Sequence, residues 1–283
     1  MNWLTKISIT CFLASYLVVL GIDLLRLWMS RSVIRSTIKI GFLLAGFFAH
    51  TVFLGYHTNL TLDRSGLWLG SWFGWSLAGA WLLVAAQIWL NFKKPLSNTA
   101  LFLLPVVLGL IAWGTWIGDE NSFSEDREKT IWSAIHGISL LMGTVVVALG
   151  FVFGTMYLIH LRRIKSKTVS SGRFRLPSLE WLQQNTERSL VVSAVCLGLG
   201  LVSGIGLNLT RTAEGLLIPW YHPVVWSSAA LFGWLLFACV GSKIYQPTRN
   251  GRKVAMLVLF SFLFLVIELG IAWSFGHGTG GAQ

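Results

Sequence analysis

Residues 131–160 read IWSAIHGISLLMGTVVVALGFVFGTMYLIH, thirty consecutive positions without an acidic or a lysine/arginine side chain. At about 1.5 Å of rise per residue, some 20 apolar residues cross the roughly 30 Å hydrocarbon core of a bilayer. This run is longer than a crossing needs, so it should tilt or project beyond the bilayer. Basic residues close it at once, with Arg162, Arg163 and Lys165.

Working outward, seven further apolar runs can be read, near 7–29, 39–57, 67–90, 98–118, 188–209, 221–244 and 253–275. The expected fold is an all-α integral membrane protein, a bundle of about eight transmembrane helices forming one polytopic domain over 1–283. The composition agrees: 54% of the 283 residues are hydrophobic and only 12% charged, whereas soluble domains carry about 25% charged residues. The first apolar run is too long for a signal-peptide core, and no small-residue cleavage pattern follows it. Cys11, Cys196 and Cys239 all fall inside apolar runs, without the spacing of a disulfide framework, a zinc site or a thiol-redox pair.

The net charge of +11 would suggest nucleic acid in a soluble protein. Here its distribution gives orientation instead. Arg26, Arg31, Arg35 and Lys39 join the first two runs, and Lys93 and Lys94 the third and fourth. Arg162, Arg163, Lys165, Lys167, Arg173, Arg175 and Arg188 lie between the fifth and sixth, and Lys243, Arg249, Arg252 and Lys253 between the last two. Seventeen of the 22 basic residues thus fall on one side, which the positive-inside rule makes cytoplasmic, with both termini outside. Attraction to anionic lipid accounts for these loops, so no nucleic-acid partner is expected. In the cytoplasmic connection over 161–187, the stretch Leu176 to Leu182 has Pro at a helix first turn and Leu/Trp spacing that suggests a short interfacial helix. Glycines four apart (Gly70 and Gly74, Gly150 and Gly154, Gly200 and Gly204) are read as close helix packing.

Polar groups inside a bilayer are costly and mark candidate function. His50 and His57 share a face of the second run, His136 enters the fifth from outside, and His222 and His277 lie at the outer ends of the last two. Only His160 is cytoplasmic. Imidazole is the commonest metal ligand, and two histidines facing each other could grip haem iron. A histidine at a span boundary can equally be an ordinary interfacial residue. Nine of the 15 tryptophans, Trp220 and Trp226 among them, lie near the outer ends, as an outer aromatic cleft or a lipid-facing girdle would require. Asp23 and Arg26, three apart, are expected to pair. Glu268 is the one acid within the outer half, suited to a proton relay or to a hydrogen bond inside the bundle.

The residues around His136, the basic end from His160 to Lys165, Leu176 to Glu180, the span containing Ser203 to Gly206, and the final run from Arg249 to His277 together resemble the cytochrome c assembly protein family, over about 40–280. That family includes the CcsA, CcmC and HemX-like proteins. The resemblance implies b-type haem held at the outer face between two histidines beneath a Trp-rich segment. His136 and His277 match the outer pair, and His50 matches a transmembrane histidine. The family's Trp-rich loop carries an Asp-Pro pair, whereas Trp220 to Trp226 has no acid and offers His222 as a substitute ligand; the stretch 235–243 lacks a further histidine. These departures bring the chain closer to the HemX-like branch. The implied function is haem binding and presentation during c-type cytochrome biogenesis in the cell (inner) membrane, with apocytochrome c and other assembly proteins as partners. An assembly factor or haem-lyase subunit fits better than an autonomous enzyme. The competing readings are a b-type cytochrome in quinone-linked electron transfer and a small-molecule transporter. The first would want an inner histidine pair, and the second broken helices in matching positions.

Overall fold

The computed structural model describes residues 8–28, 33–62, 71–93, 97–117, 131–166, 174–211, 220–244 and 247–275. Within them the chain forms eight α-helices and no strand: α1 (Ile9–Leu25), α2 (Val33–Leu62), α3 (Trp72–Lys93), α4 (Ala100–Ile117), α5 (Ile131–Lys165), α6 (Leu179–Arg211), α7 (Pro223–Ile244) and α8 (Pro247–Ser274). Helix is the form in which an apolar segment satisfies its own backbone polar groups where water is absent. Six of the helices, α2, α3 and α5 to α8, are long and apolar enough to cross a membrane. The apolar helices α1 and α4 are shorter, at 17 and 18 residues, the lower edge of what a crossing needs.

The outer surface repeats this message. On α6, Val191, Val195, Leu199, Val202 and Leu209 all remain exposed, and on α8 so do Phe260, Leu263, Val266 and Ile267. Apolar side chains of this size and continuity are at home in lipid and not in water.

The helices group into two compact units. In the first, α1 packs on α2 and α4, and α3 packs on the same two, so α1 to α4 close a ring of four, a four-helix bundle. Phe12, Tyr16, Leu43, Leu77, Leu83, Leu104 and Ile111 are buried in it. Ser8 caps α1 by accepting the Thr10 backbone N–H at 3.1 Å. Gly46 lets α1 come close, since a Cβ there would lie 2.8 Å from both Ser15 and Tyr16. The sequence pairing of Asp23 with Arg26 is present at 3.2 Å, but Asp23 also receives Lys39 from α2 at 2.8 Å. The 159–179 stretch belongs to this unit.

Among the described residues, the second unit takes 131–158 and those from 180 to 275. Val147 from α5, Leu190, Ala194 and Leu197 from α6, Leu231 and Leu235 from α7, and Val254, Val258 and Leu265 from α8 form its core. Helices α5 and α6 run antiparallel along a row of glycines. A Cβ at Gly206 would meet Trp132 at 3.1 Å, at Gly200 it would meet Leu140 at 2.6 Å, and Leu197 in turn lies 2.7 Å from one at Gly143. The pairs at 150/154 and 200/204 are therefore close-packing positions: a Cβ at Gly150 would collide with Ser189, and one at Gly154 would lie 3.3 Å from the Ala255 carbonyl. Gly70 lies outside the described residues.

One expectation is corrected here. The stretch from Leu176 to Leu182 is not a separate short helix. Leu179 opens α6, which runs unbroken for 33 residues, because the polar segment Gln183 to Ser189 contains no glycine or proline to stop it.

Candidate functional site

The five histidines among the described residues fall in different settings. In the first unit, His50 is fully buried. Its ring stacks on Phe12 with centroids 4.2 Å apart and planes 2° from parallel, and Nδ1 is 3.2 Å from the Tyr16 hydroxyl. The Leu77 main-chain carbonyl faces the ring, although Nε2 makes no hydrogen bond within 3.5 Å. His57 lies seven residues further on the same helix and stacks on Phe53, which also touches Phe12. That spacing puts His50, Phe53 and His57 on one face of α2. The side chain of His50 is thus fully buried between the rings of Phe12 and Tyr16. His160 donates through Nδ1–H to the Pro177 carbonyl, 3.1 Å away; a carbonyl only accepts, so Nδ1 carries the proton.

In the second unit, His136 is half-buried against α6. Its Nδ1 is 2.7 Å from the Gly200 carbonyl oxygen, so this nitrogen also carries the proton. The ring fits a notch that Gly204 leaves: a Cβ there would lie 3.0 Å from Cε1 and 3.1 Å from Nδ1. Ser203 donates to the same Gly200 carbonyl at 2.9 Å. With the proton on Nδ1, the lone pair is on Nε2. Metal-ligating histidines adopt this tautomer, with the second nitrogen donating to a carbonyl or carboxylate that fixes the ring.

His222 has the opposite arrangement. Its Nδ1 accepts the Val224 backbone N–H at 3.4 Å, and its carbonyl accepts from Val225 at 3.0 Å. It therefore stands as the N-cap of α7, followed by Pro223 at the first helical position, where a proline is tolerated. The proton is then on Nε2, and the lone pair that a metal would need is engaged in the cap. Trp220, Tyr221 and Trp226 around it are exposed at 52%, 81% and 68%, more a lipid- or headgroup-facing fringe than the walls of a closed cleft. His277 lies outside the described residues. No group of three or more His, Cys, Asp or Glu among the described residues could hold a metal ion together.

For a haem, the fit is thus residue by residue. His136 fits an axial ligand, with its tautomer set and its ring braced; His222 is occupied as a cap; His50 is shut in. Within the second unit, Glu268 accepts a 2.7 Å hydrogen bond from Ser228, and Trp234 donates to Ser261 at 3.0 Å. Neither contact involves a histidine.

Some polar groups had no reading from sequence. Lys39 completes the Asp23 cluster from a neighbouring helix, and Tyr16 meets His50 across the α1/α2 contact. Gln87, Asn91, Asn98 and Thr99 gather between α3 and α4. The available signal was an isolated amide, Gln87, within an apolar run.

These features define a class before anything more particular: an all-helical chain of multi-pass membrane type, with one braced histidine in its second unit. No family model, curated protein or solved structure matches the chain.

Proposed function

We infer that this is a haem-handling protein of the cell membrane that assists c-type cytochrome assembly, binding b-type haem near the outer face and presenting it to apocytochrome partners. In this reading all eight helices cross the bilayer, with both termini outside. The observation that supports it most is His136, whose Nδ1–H donates to the Gly200 carbonyl at 2.7 Å, the tautomer that metal-ligating histidines adopt. His277 would be the second residue to hold the haem. The haem would supply the redox chemistry, and the chain contributes ligation and orientation. The notch at Gly204 and the Gly200 carbonyl hold the imidazole in place. His222, the residue that stands in the Trp-rich stretch, would serve this site by ending the 212–222 connection in a defined helix cap.

The test is an absorption spectrum of the ferrous protein, purified in mild detergent from a haem-replete host. Wild type should show a b-type spectrum, and His136→Ala and His277→Ala should each shift or abolish it. A protein purified without haem, or a spectrum indifferent to both substitutions, would overturn the proposal. His50→Ala serves as the comparison, expected to lower stability more than it alters the spectrum.

A further inference from the structure

Among the described residues, six buried side-chain polar atoms have no hydrogen-bond partner, and four of them belong to residues at the junction of α3 and α4, which the Gln87–Thr99 bond ties together: Gln87 Oε1, Asn91 Nδ2, and both Nδ2 and Oδ1 of Asn98. Gln87 and Asn98 are fully buried. Gln87 Nε2 already donates to Asn91 Oδ1 at 3.2 Å and to Thr99 Oγ1 at 3.1 Å, so the amides are tied together yet only half used. Buried polar atoms are nearly always paired, and a concentration of exceptions points to something bound.

The chemistry of the four atoms selects the occupant. Two are N–H donors and two are carbonyl acceptors. An anion would satisfy only the donors and a cation only the acceptors. Turning Gln87 and Asn91 over together keeps their mutual bond but merely exchanges donor for acceptor, so the mixture persists whichever way the amides are assigned. Water both donates and accepts, and it is held in protein interiors by two to four polar partners of this kind, typically about three.

The site also has a cover. The Asn98 backbone N–H donates to the Arg175 carbonyl at 2.9 Å. Phe174 meets the Phe102 ring, centroids 6.4 Å apart, and the Arg163 guanidinium stands over its own ring at 4.5 Å. His160 fixes the Pro177 carbonyl beyond. The segment 174–177 is therefore held against the start of α4.

We propose that the Gln87, Asn91 and Asn98 amides bind a small cluster of ordered water molecules beneath the 174–177 segment, joining the end of α3 to the start of α4. This site is independent of any haem. The test is a structure of the full-length chain at a resolution that shows ordered water, for wild type, Asn98→Leu and Gln87→Leu. In the wild type, peaks of water size should lie within hydrogen-bond distance of Asn98 and Gln87 Oε1, and those at Asn98 should be lost in Asn98→Leu. A dry wild-type site with the amides re-paired to one another, or density for an ion or a lipid headgroup there, overturns the proposal. X-ray radiolytic labelling of Phe102 in detergent provides a solution readout. Labelling that survives a bulk radical scavenger in wild type and is lost in either leucine variant supports internal water; labelling abolished by the scavenger in wild type refutes it.

Discussion

Replacing Gly204 with alanine is the sharpest probe of the His136 notch. The added methyl would lie 3.0 Å from Cε1 and 3.1 Å from Nδ1 of His136, whereas carbon atoms rest at about 3.5–4.0 Å. The ring must therefore retreat by roughly 0.5 Å or more, and its 2.7 Å bond to the Gly200 carbonyl would stretch to the edge of the hydrogen-bonding range, about 3.2 Å. Overpacking costs about 2 kcal/mol and the weakened hydrogen bond about 1 kcal/mol, while alanine over glycine returns about 1 kcal/mol of helix propensity. The net expectation is a loss of about 2 kcal/mol. The assay is thermal unfolding in detergent, followed by helical circular dichroism, for Gly204→Ala, His136→Ala and the double variant. Gly233→Ala is the control, since a Cβ there meets nothing within 4 Å and should be neutral or stabilising by up to about 1 kcal/mol. If the methyl acts through the imidazole, the double variant should recover part of the loss, with a coupling of about 1–2 kcal/mol. A Gly204→Ala protein as stable as Gly233→Ala, or a penalty that persists unchanged without the imidazole, would refute the reasoning.

Other substitutions separate the remaining polar contacts. Asp23→Asn leaves Arg26 and Lys39 buried without their shared carboxylate and should cost about 3 kcal/mol or more, whereas Lys39→Gln keeps the Asp23–Arg26 pair and should cost clearly less, both read by thermal unfolding. Tyr16→Phe removes the hydroxyl from His50 Nδ1 with little change of shape, so it should lower stability by about 1 kcal/mol. Ser228→Ala should cost about 1–3 kcal/mol by leaving the Glu268 oxygen without its hydroxyl donor; an unchanged melting temperature would show that Glu268 finds its partner elsewhere. Gly251→Ala, where a Cβ would collide with the Tyr157 hydroxyl and the Gln183 amide, should be more damaging than Gly204→Ala and reduce the yield of folded protein in the same expression host.

Much of the helical plan was legible from sequence because a bilayer crossing leaves an unambiguous mark. All eight apolar runs are helices. Their ends were less legible, since polar residues that permit helix simply extend it: α2 begins at Val33 and α6 at Leu179, well before the apolar stretch in each. Contacts within one helix could also be read, as with Asp23 and Arg26 at three-residue spacing. Lys39 could not be assigned to them, because its approach depends on how α2 packs against α1.

The same division runs through the candidate site. Sequence alone determined that His50, His136 and His222 lie in or at the ends of apolar helices, and that Gly200 and Gly204 leave a gap on one face of α6. Only the tertiary structure decided that His136 fills this gap at Gly204 and Leu140 fills it at Gly200, that His222 is turned back as a helix cap, and that Phe12 and Tyr16 enclose His50. The physical reason is that apolarity is a property of each residue and needs no partner, while the role of an imidazole depends on which nitrogen carries the proton. That is set by a carbonyl or an N–H supplied by whatever backbone the fold brings beside it.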